Sequence, residues 1–319
     1  MKQGIIVIAS MLAFAMAQAQ EFPAKPVKLI QPFPAGNVND TVVRMVADRF
    51  REATGQPWVF DYKPGGAGLI AAQALMSSPP DGYTILLATS GLMSINPHTF
   101  SKLPYDPFKD FAPISQAVGS QMAFAGAGDV PATSLAEFIG FAKANPGKTT
   151  FASFTAGNPS HFAGVILNQL AGIDMTHVPY KGSPFALQDL LGGQVRSAFL
   201  PLISVKSHLE SGKLKAFAIT GGQRSPLMPN VPTFKELGYP KMEIYIWSGF
   251  VAPAGTPATA VQTLHREITA ALRAPEVQQK LRTIDLVPFP STPDEFARMV
   301  RSDYERWESA VKASGFRAD

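Results

Sequence analysis

Short apolar runs alternate along the chain with segments in which apolar residues recur at helical spacing. The runs include VKLIQPF (27–33), WVFDY (58–62) and TTFAS (149–153), and the series continues with RSAFLPLI (196–203) and LKAFAIT (214–220). Unbroken apolar runs between helices are typical of parallel strands that helices cover on both faces. The pattern therefore predicts the α/β class.

The C-terminal part of the chain changes to long amphipathic helices. One helix is predicted to begin with Thr256 as its N-cap and Pro257 in its first position. The next is predicted to begin with a capping box of Thr292 and Glu295 and to end at Gly315. Local residue types therefore predict where both helices begin.

The first 19 residues have the pattern of a signal peptide. Lys2 gives a positive start, IIVIASMLAFAMA (5–17) is an apolar stretch of suitable length, and Ala17-Gln18-Ala19 matches the small-x-small cleavage pattern. We expect cleavage after Ala19 and an exported, soluble mature protein. The alternative is an uncleaved membrane anchor, for which the apolar stretch is short.

Composition narrows the class of protein further. The chain has 319 residues, 46% of them hydrophobic and 16% charged, which is a folded composition with room for two lobes. Lys and Arg are scattered and the net charge is +4, so no concentrated basic face for nucleic acid is predicted. The lack of cysteine excludes a disulfide framework and a lipid-anchored N-terminal cysteine. We expect a monomer that diffuses freely in a bacterial periplasm.

Two turns of the same construction each join a predicted strand to a predicted helix. They are FPAGNVND (33–40), which we name jaw 1, and FTAGNPSHF (154–162), which we name jaw 2. In jaw 2, Asn158 is predicted to cap the helix and Pro159 to take its first position. A helix N-terminus leaves about four amide N–H groups without partners and carries roughly half a positive charge, so it can bind an anion without a cationic side chain. The alternative is that both turns are ordinary helix caps. The repeated Ala-Gly-Asn bend favours a function.

Sequence patterns for enzyme chemistry are weak. The segment GAGLIA (66–71) fits a loose dinucleotide-binding pattern, but it follows the second predicted strand and the expected acid after the next strand is missing. Ser160 and His161 are adjacent on a predicted helix, about 100° apart, so they cannot pair directly as nucleophile and base. The five histidines show no metal-binding spacing. We predict no catalytic residue, no metal and no cofactor.

Ten short motifs occur in order from about residue 22 to the C-terminus. They are FPAGNVNDTVVR, KPGGAG, PPDGYTILLAT, AKANPGK, GNPSHFAG, HVPYKGS, LLGGQV, SGKLKAFAIT, RSPLMPNVPTFKELG and GFVAPAGTP. Together they closely resemble the receptor family of tripartite tricarboxylate transporters, the Bug-type periplasmic solute-binding proteins. Each motif alone is weak, and their order makes the resemblance specific.

The resemblance implies a two-lobed flytrap fold of the second periplasmic-binding-protein class, in which each lobe is a sheet flanked by helices. The lobes are expected at 21–122 with 245–319, and at 123–244. It also implies a carboxylate-bearing solute, gripped largely by backbone amides and ordered waters, and a two-component membrane permease as partner. Two alternatives keep the same cleft: a sensor partner in signalling, and a periplasmic enzyme.

Departures from the family pattern bear on the ligand. Where the family commonly has AGGxxD, this chain has AGNVND (35–40), and Asn37 is expected to add a side-chain amide near the anion. The family often carries Asp or Asn shortly after GGQV, which can meet a ligand ammonium, but here the stretch is RSAFLPL (196–202). Jaw 2 is compressed or differently aligned relative to the family's GxGSxxH, which leaves open which of its groups donate to the ligand. We predict an amine-free, aromatic or flat apolar carboxylate, with a dicarboxylate favoured.

The turns and the resemblance together predict a set of ligand-binding residues. Four apolar members are expected at strand ends or hinge positions that could face the cleft. They are Phe33, Phe199, Leu200 and Trp247. The remaining members are Ala35, Gly36, Asn37, Asn39, Asp40, Thr89, Ser90, Thr155, Ala156, Gly157, Asn158, Ser160, His161 and Tyr180.

Overall fold

The computed structural model describes residues 22–319, and the predicted signal peptide with its cleavage site lies outside the described residues. The strands are β1 (Val27–Gln31), β2 (Trp58–Tyr62), β3 (Thr84–Thr89), β4 (Phe111–Ser120), β5 (Met122–Ala127), β6 (Thr149–Ser153), β7 (Met175–Pro179), β8 (Ser197–Pro201), β9 (Leu214–Ile219), β10 (Ile246–Pro253) and β11 (Leu286–Pro288). The α-helices are α1 (Val38–Thr54), α2 (Leu69–Met76), α3 (Asn96–Thr99), α4 (Leu135–Ala144), α5 (Pro159–Ala171), α6 (Ser183–Leu191), α7 (Leu202–Glu210), α8 (Ala258–Arg273), α9 (Pro275–Thr283) and α10 (Pro293–Ser314). Over residues 22–319 no helix has the length and apolar character needed to span a bilayer.

Two sheets divide the strands between two lobes, which confirms the predicted α/β class. The first lobe contains a six-stranded sheet in the order β11-β4-β10-β3-β1-β2, and the second contains a five-stranded sheet in the order β7-β6-β8-β5-β9. The chain passes from the first sheet to the second between β4 and β5, and it returns between β9 and β10.

Both sheets are built around the same parallel trio of strands. In the first, β1 lies between β2 and β3 and runs parallel to both, while β10 is antiparallel to β3. In the second, β6 lies between β7 and β8 and runs parallel to both, while β5 is antiparallel to β8. The chain leaves β1 and β6 toward one neighbour and later returns on the other side. In α/β sheets a ligand crevice forms at such a switch point, outside the carboxyl ends of the strands.

The C-terminal helix α10 contributes to the cores of both lobes. Its N-terminal half places Phe296 and Val300 in the first lobe, against Trp247. Its C-terminal half places Trp307 in the core of the second lobe, with a ring-centroid distance of 6.0 Å to Phe162. Both Trp307 and Phe296 are fully buried. Helix α10 therefore joins the two lobes by packing as well as by chain connectivity.

Candidate functional site

Jaw 1 is a tight turn at the carboxyl end of β1. Gly36 has φ +82°, a left-handed conformation that favours glycine. Asn37 then caps α1 in an extended conformation, and its Oδ1 accepts hydrogen bonds from the N–H groups of Asn39 (2.8 Å) and Asp40 (3.3 Å). The side-chain Nδ2 of Asn37 donates to Pro34 O at 2.5 Å. Both ends of the Asn37 side chain are therefore engaged within the turn, and the expectation that its amide lies near an anion stays a prediction.

The carboxylate of Asp40 holds jaw 1 from inside the lobe. Its Oδ2 accepts from the N–H of Gly36 at 3.2 Å and from Arg44 Nε at 2.9 Å. Its Oδ1 accepts from Gln31 Nε2 at 3.0 Å and from the Tyr62 hydroxyl at 2.7 Å. Burial raises the pKa of Asp40, but the hydrogen bonds from Tyr62 and Arg44 outweigh burial and hold the pKa below its ordinary value. Four donors therefore occupy the two carboxylate oxygens, and the carboxylate stabilises the turn.

Jaw 2 repeats this construction at the carboxyl end of β6. Gly157 has φ +73°, and Asn158 caps α5 in an extended conformation with Pro159 in the first helical turn. Asn158 Oδ1 accepts from the N–H groups of Ser160 (2.9 Å) and His161 (3.3 Å), as Asn37 does in jaw 1. The predicted Asn158 cap and Pro159 position are confirmed. The buried hydroxyl of Ser160 accepts from Phe154 N–H at 3.3 Å, so it too stabilises the turn.

An imidazole takes the place of the carboxylate in jaw 2. His161 Nδ1 accepts from Gly157 N–H at 3.3 Å, and its ring stacks on that of His177 with centroids 3.7 Å apart. Burial and the neighbouring His177 lower the pKa of His161 to about 3, and burial lowers the pKa of His177 to about 4. His177 Nε2 in turn shares a hydrogen bond with Ser153 Oγ at 2.7 Å. Both rings are therefore neutral near pH 7, as an accepting Nδ1 requires.

The amides left over for a ligand lie at the outer bend of each jaw. Within residues 22–319, no residue accepts a hydrogen bond from the N–H of Ala35 or Val38 in jaw 1. The same holds, for this described part of the chain, at Thr155 and Ala156 in jaw 2. Ala35, Val38 and Thr155 are also exposed. Each jaw thus presents backbone donors, while its polar side chains fix the turn.

Further predicted residues lie at the same sheet edges. Thr89 ends β3 beside β1 and Ser90 follows it, and Thr89 Oγ1 accepts from Leu92 N–H at 3.2 Å. Tyr180 follows β7 beside β6, and its hydroxyl donates to Asp189 Oδ2 at 2.6 Å. Burial and Asp189 raise the pKa of Tyr180 to about 12. These residues border the jaws, and the side chains of Thr89 and Tyr180 have partners within their own lobe.

Two more predicted residues, Phe33 and Asn39, belong to jaw 1. Phe33 is half-buried at the start of the jaw. Asn39 Oδ1 accepts from Ser248 Oγ of β10 at 3.3 Å, which ties the first turn of α1 to the sheet.

Three predicted cleft residues lie in the lobe cores instead. Phe199 is fully buried and stacks on Phe124 with centroids 4.6 Å apart, and Leu200 is fully buried in the same cluster. Trp247 packs edge-on against Phe296, and its indole N–H donates to Asp303 Oδ2 at 2.8 Å. The structure corrects the expectation that these side chains face the cleft. The reason is that helices cover both faces of each sheet, so a strand-end aromatic is enclosed.

The supporting residues around Asp40 and His161 were not predicted as part of the site. Arg44 is four residues after Asp40 on α1, a spacing that places them on one helix face and was visible in the sequence. Gln31 ends β1, two residues before jaw 1. Tyr62 and His177 reach the jaws through strand pairing, which local sequence does not show. Within residues 22–319, no group of three or more His, Asp and Glu side chains is arranged to hold a metal ion.

Comparisons with known proteins agree with this architecture. The profile of the family described as "Tripartite tricarboxylate transporter family receptor" matches residues 42–316. The chain is 32% identical to Protein BugT of Bordetella pertussis over 98% of this chain and 96% of that protein. A solved structure of an R. palustris protein with adipate has a TM-score of 0.79 and 32% identity, covering 93% of this chain and 99% of that one. MatC from Rhodopseudomonas palustris with bound malate has a TM-score of 0.74 and 30% identity, covering 91% of this chain and 100% of that one.

Proposed function

Because the chain belongs to the receptor family of tripartite tricarboxylate transporters, we propose that it captures a carboxylate-bearing solute between jaw 1 and jaw 2. The observation that carries this proposal is the repeated construction of the jaws. Each has a left-handed glycine, an Asn cap and a side chain four residues after the glycine that accepts the glycine amide. Each stands at the carboxyl end of the central strand of its parallel trio.

The chemistry of the jaws suits a ligand with two carboxylates. Each jaw offers unpartnered amide N–H groups at a helix N-terminus, where negative charge is favoured. A charge-assisted hydrogen bond contributes roughly 1.5–3 kcal/mol, so two or three per jaw need no added cation. The similar R. palustris proteins were solved with adipate and with malate, each of which carries two carboxylates. We therefore place one carboxylate of the solute in each jaw.

The body of the solute is proposed to be apolar and without a free amine. Apolar side chains are exposed in the first turns of helices that follow the jaw strands or their neighbours, with Val38 at 48%, Phe185 at 58% and Ile203 at 46%. Asp40 is the only acid in the two jaws, and four donors already occupy its oxygens. A ligand ammonium would find no free carboxylate there, and desolvating it would cost several kcal/mol.

We propose that the captured solute is passed to a two-component membrane permease in the periplasm. The ligand favours closure of the two lobes, because the closed state gains the contacts of the second jaw. The closed state is then the signal that such a receptor presents to its partner. Deleting the permease should abolish growth on the solute, and restoring it should recover growth. Growth that survives the deletion would show that capture is not coupled to transport by this permease, and it would favour a signalling partner.

The ligand class can be tested by calorimetry after a thermal-shift screen of mono- and dicarboxylates. A ligand at 100 times its Kd adds about 2.7 kcal/mol to the stability of the folded state, so a hit is plain in the screen. The best dicarboxylate is then compared with its dimethyl ester. We expect the ester to lose most of the affinity, because it cannot make charge-assisted bonds with the amides. An ester that binds as tightly as the acid would contradict the two-jaw site.

A further inference from the structure

The last residues of the chain run behind jaw 2. Helix α10 ends at Ser314, and Gly315, with φ +63°, turns the chain out of the helix. Phe316 follows, and its N–H donates to Ser314 Oγ at 3.1 Å. The ring of Phe316 stands edge-on to that of His161, with centroids 5.6 Å apart and an interplanar angle of 87°. It also contacts Phe162, with centroids 6.3 Å apart.

Phe316 lies directly against the bend of jaw 2. A Cβ atom added to Gly157 would lie 2.4 Å from Phe316 Cε1, so the ring fills the space that a side chain at the bend would need. The N–H of Gly157 is the donor that His161 Nδ1 accepts. Phe316 therefore packs against both partners of the hydrogen bond that orients this turn, while His177 covers a face of the imidazole.

The rest of the tail is attached to the first lobe. Hydrogen bonds join it to the segment that contains α3 and the residues after it. Ala318 N–H donates to Thr99 O (2.9 Å), and Arg317 Nη1 donates to His98 O (3.2 Å). The Asp319 carboxylate accepts from the N–H of Ser101 (2.9 Å to Oδ2) and from the Ser101 hydroxyl. The tail, residues 315–319, thus bridges the two lobes, with its polar end on one and its aromatic ring on the other.

We propose that Phe316 is a positioning residue for the amides of jaw 2. This role rests on the proposed function, because it makes affinity for the second carboxylate depend on the tail. Without the ring, the imidazole of His161 is free to turn away from Gly157. The donors at Thr155 and Ala156 then lose their fixed direction. Donors that are ordered before binding give higher affinity, because less freedom is lost when the ligand arrives.

The test compares a diacid with a monoacid of the same length, adipate and hexanoate, in full-length variants. Phe316→Ala should weaken adipate binding about tenfold, which corresponds to about 1.4 kcal/mol. Hexanoate affinity should stay unchanged, because a single carboxylate can use the intact jaw 1. Phe316→Leu should recover much of the loss, since a branched apolar side chain still fills part of the space. Arg317→Ala keeps the ring and the hydrogen bonds of Ala318 and Asp319 to the first lobe, so it is the matched control and should bind adipate as the wild type does.

Three results would overturn this role for Phe316. One is unchanged adipate affinity in Phe316→Ala. Another is an equal loss for adipate and hexanoate, which would indicate a general effect on folding or closure. The third is an equal adipate loss in Arg317→Ala. Thermal unfolding of each variant shows whether it is folded at the assay temperature. The proposed function fails separately, in the wild type alone, if adipate and the other dicarboxylates bind no better than their neutral esters.

Discussion

The imidazole of His161 accepts the amide N–H of Gly157 at 3.3 Å, in the position that the Asp40 carboxylate occupies for Gly36 in jaw 1, where the distance is 3.2 Å. The spacing of four residues is the same, but the chemistry of the acceptor differs. A carboxylate accepts while charged, whereas an imidazole accepts at Nδ1 only while that atom carries no proton. The two jaws therefore share a geometry and differ in how they respond to acid.

The first prediction concerns the pH dependence of stability. His161 and His177 have pKa values lowered to about 3 and about 4, whereas in the unfolded chain each takes up a proton near pH 6.5. The unfolded state binds more protons at these two histidines between these values, so their contribution to stability falls as the pH drops from about 6.5 toward 4. Each histidine adds a slope of up to about 1.4 kcal/mol per pH unit in that window. Urea unfolding at pH 7, 6, 5 and 4 measures the slope.

A His161→Asn variant checks the origin of this slope. It removes a titrating ring and should flatten the pH dependence between pH 6 and 4. The stabilising contribution of the Asp40 carboxylate is also lost in acid, because its pKa is lowered in the folded state. That loss occurs only as the pH falls below the ordinary carboxyl range. An unaltered slope in His161→Asn would show that the acid sensitivity arises elsewhere.

The second prediction concerns the carboxylate of jaw 1. Asp40→Ala leaves the buried Gln31 amide, the half-buried Tyr62 hydroxyl and the exposed Gly36 N–H without their acceptor, and a buried unsatisfied donor costs about 1–3 kcal/mol. Arg44 is half exposed and can turn to water. We expect a loss of about 2–3 kcal/mol in the free energy of unfolding, measured by urea denaturation.

Asp48→Ala is the matched control for this change, because Asp48 lies on the same helix with its side chain 71% exposed. Exposed ion pairs contribute about 0–1 kcal/mol, so the control should stay within that range of the wild type. Equal losses in both variants would contradict the role of Asp40 as the residue that fixes jaw 1.

The third prediction separates backbone strain from packing at jaw 2. Gly157 and Gly147 have similar φ angles, +73° and +69°, but an added Cβ meets Phe316 at Gly157 and nothing within 4 Å at Gly147. Gly147→Ala should therefore cost about 1 kcal/mol of stability through strain alone and leave ligand affinity unchanged. Gly157→Ala should cost more stability and weaken dicarboxylate binding.

A double variant tests whether the extra cost at Gly157 comes from the Phe316 ring. Phe316→Ala removes the atoms that the new Cβ would strike, so the two substitutions together should cost less stability than the sum of their separate losses. Contacting residues typically show coupling energies of about 0.5–3 kcal/mol in such cycles. Strictly additive losses would mean that the ring and the bend do not interact.

Local sequence was sufficient for the features that short-range chemistry determines. The Asn158 cap and the Thr292–Glu295 capping box are both present as predicted, because a cap depends on residues within one turn. The helix expected to begin after Thr256 instead begins at Ala258, with Pro257 in the cap position. The Thr256 hydroxyl donates to Pro253 O, so it is engaged in the preceding turn.

Features that depend on distant segments could not be read from the sequence. Tyr62 reaches Asp40 because β2 pairs with β1, and Phe316 reaches jaw 2 because α10 crosses both lobes. Phe199 is the opposite case, in which the sequence-based prediction placed a core residue in the cleft. An apolar residue at the end of a strand has the same pattern whether it faces a cleft or a helix-covered core, and only the tertiary packing decides. The surroundings of Phe199 and Phe316 are therefore visible only in the structure.

The last prediction concerns ligand selectivity and uses adipate, 2-aminoadipate and 2-hydroxyadipate as matched ligands. The three share two carboxylates and one chain length, and they differ only in the substituent on one carbon. Asp40, the only acid in the jaws, is already occupied by four donors, so an ammonium has no free carboxylate partner there. Its desolvation is then uncompensated, and we expect 2-aminoadipate to bind about a hundredfold more weakly than adipate, or about 2.7 kcal/mol.

The hydroxyl compound separates charge from size in this comparison. It has nearly the same volume as the amine but no charge to desolvate, so its affinity should lie much closer to that of adipate. If both substituted acids are rejected equally, the limit is space beside the carboxylate and the missing acid is irrelevant. If calorimetry shows 2-aminoadipate binding as tightly as adipate, an acceptor for the ammonium exists outside the jaws, and the amine-free ligand class is wrong. Only rejection of the amine with retention of the hydroxyl compound supports an electrostatic origin of selectivity.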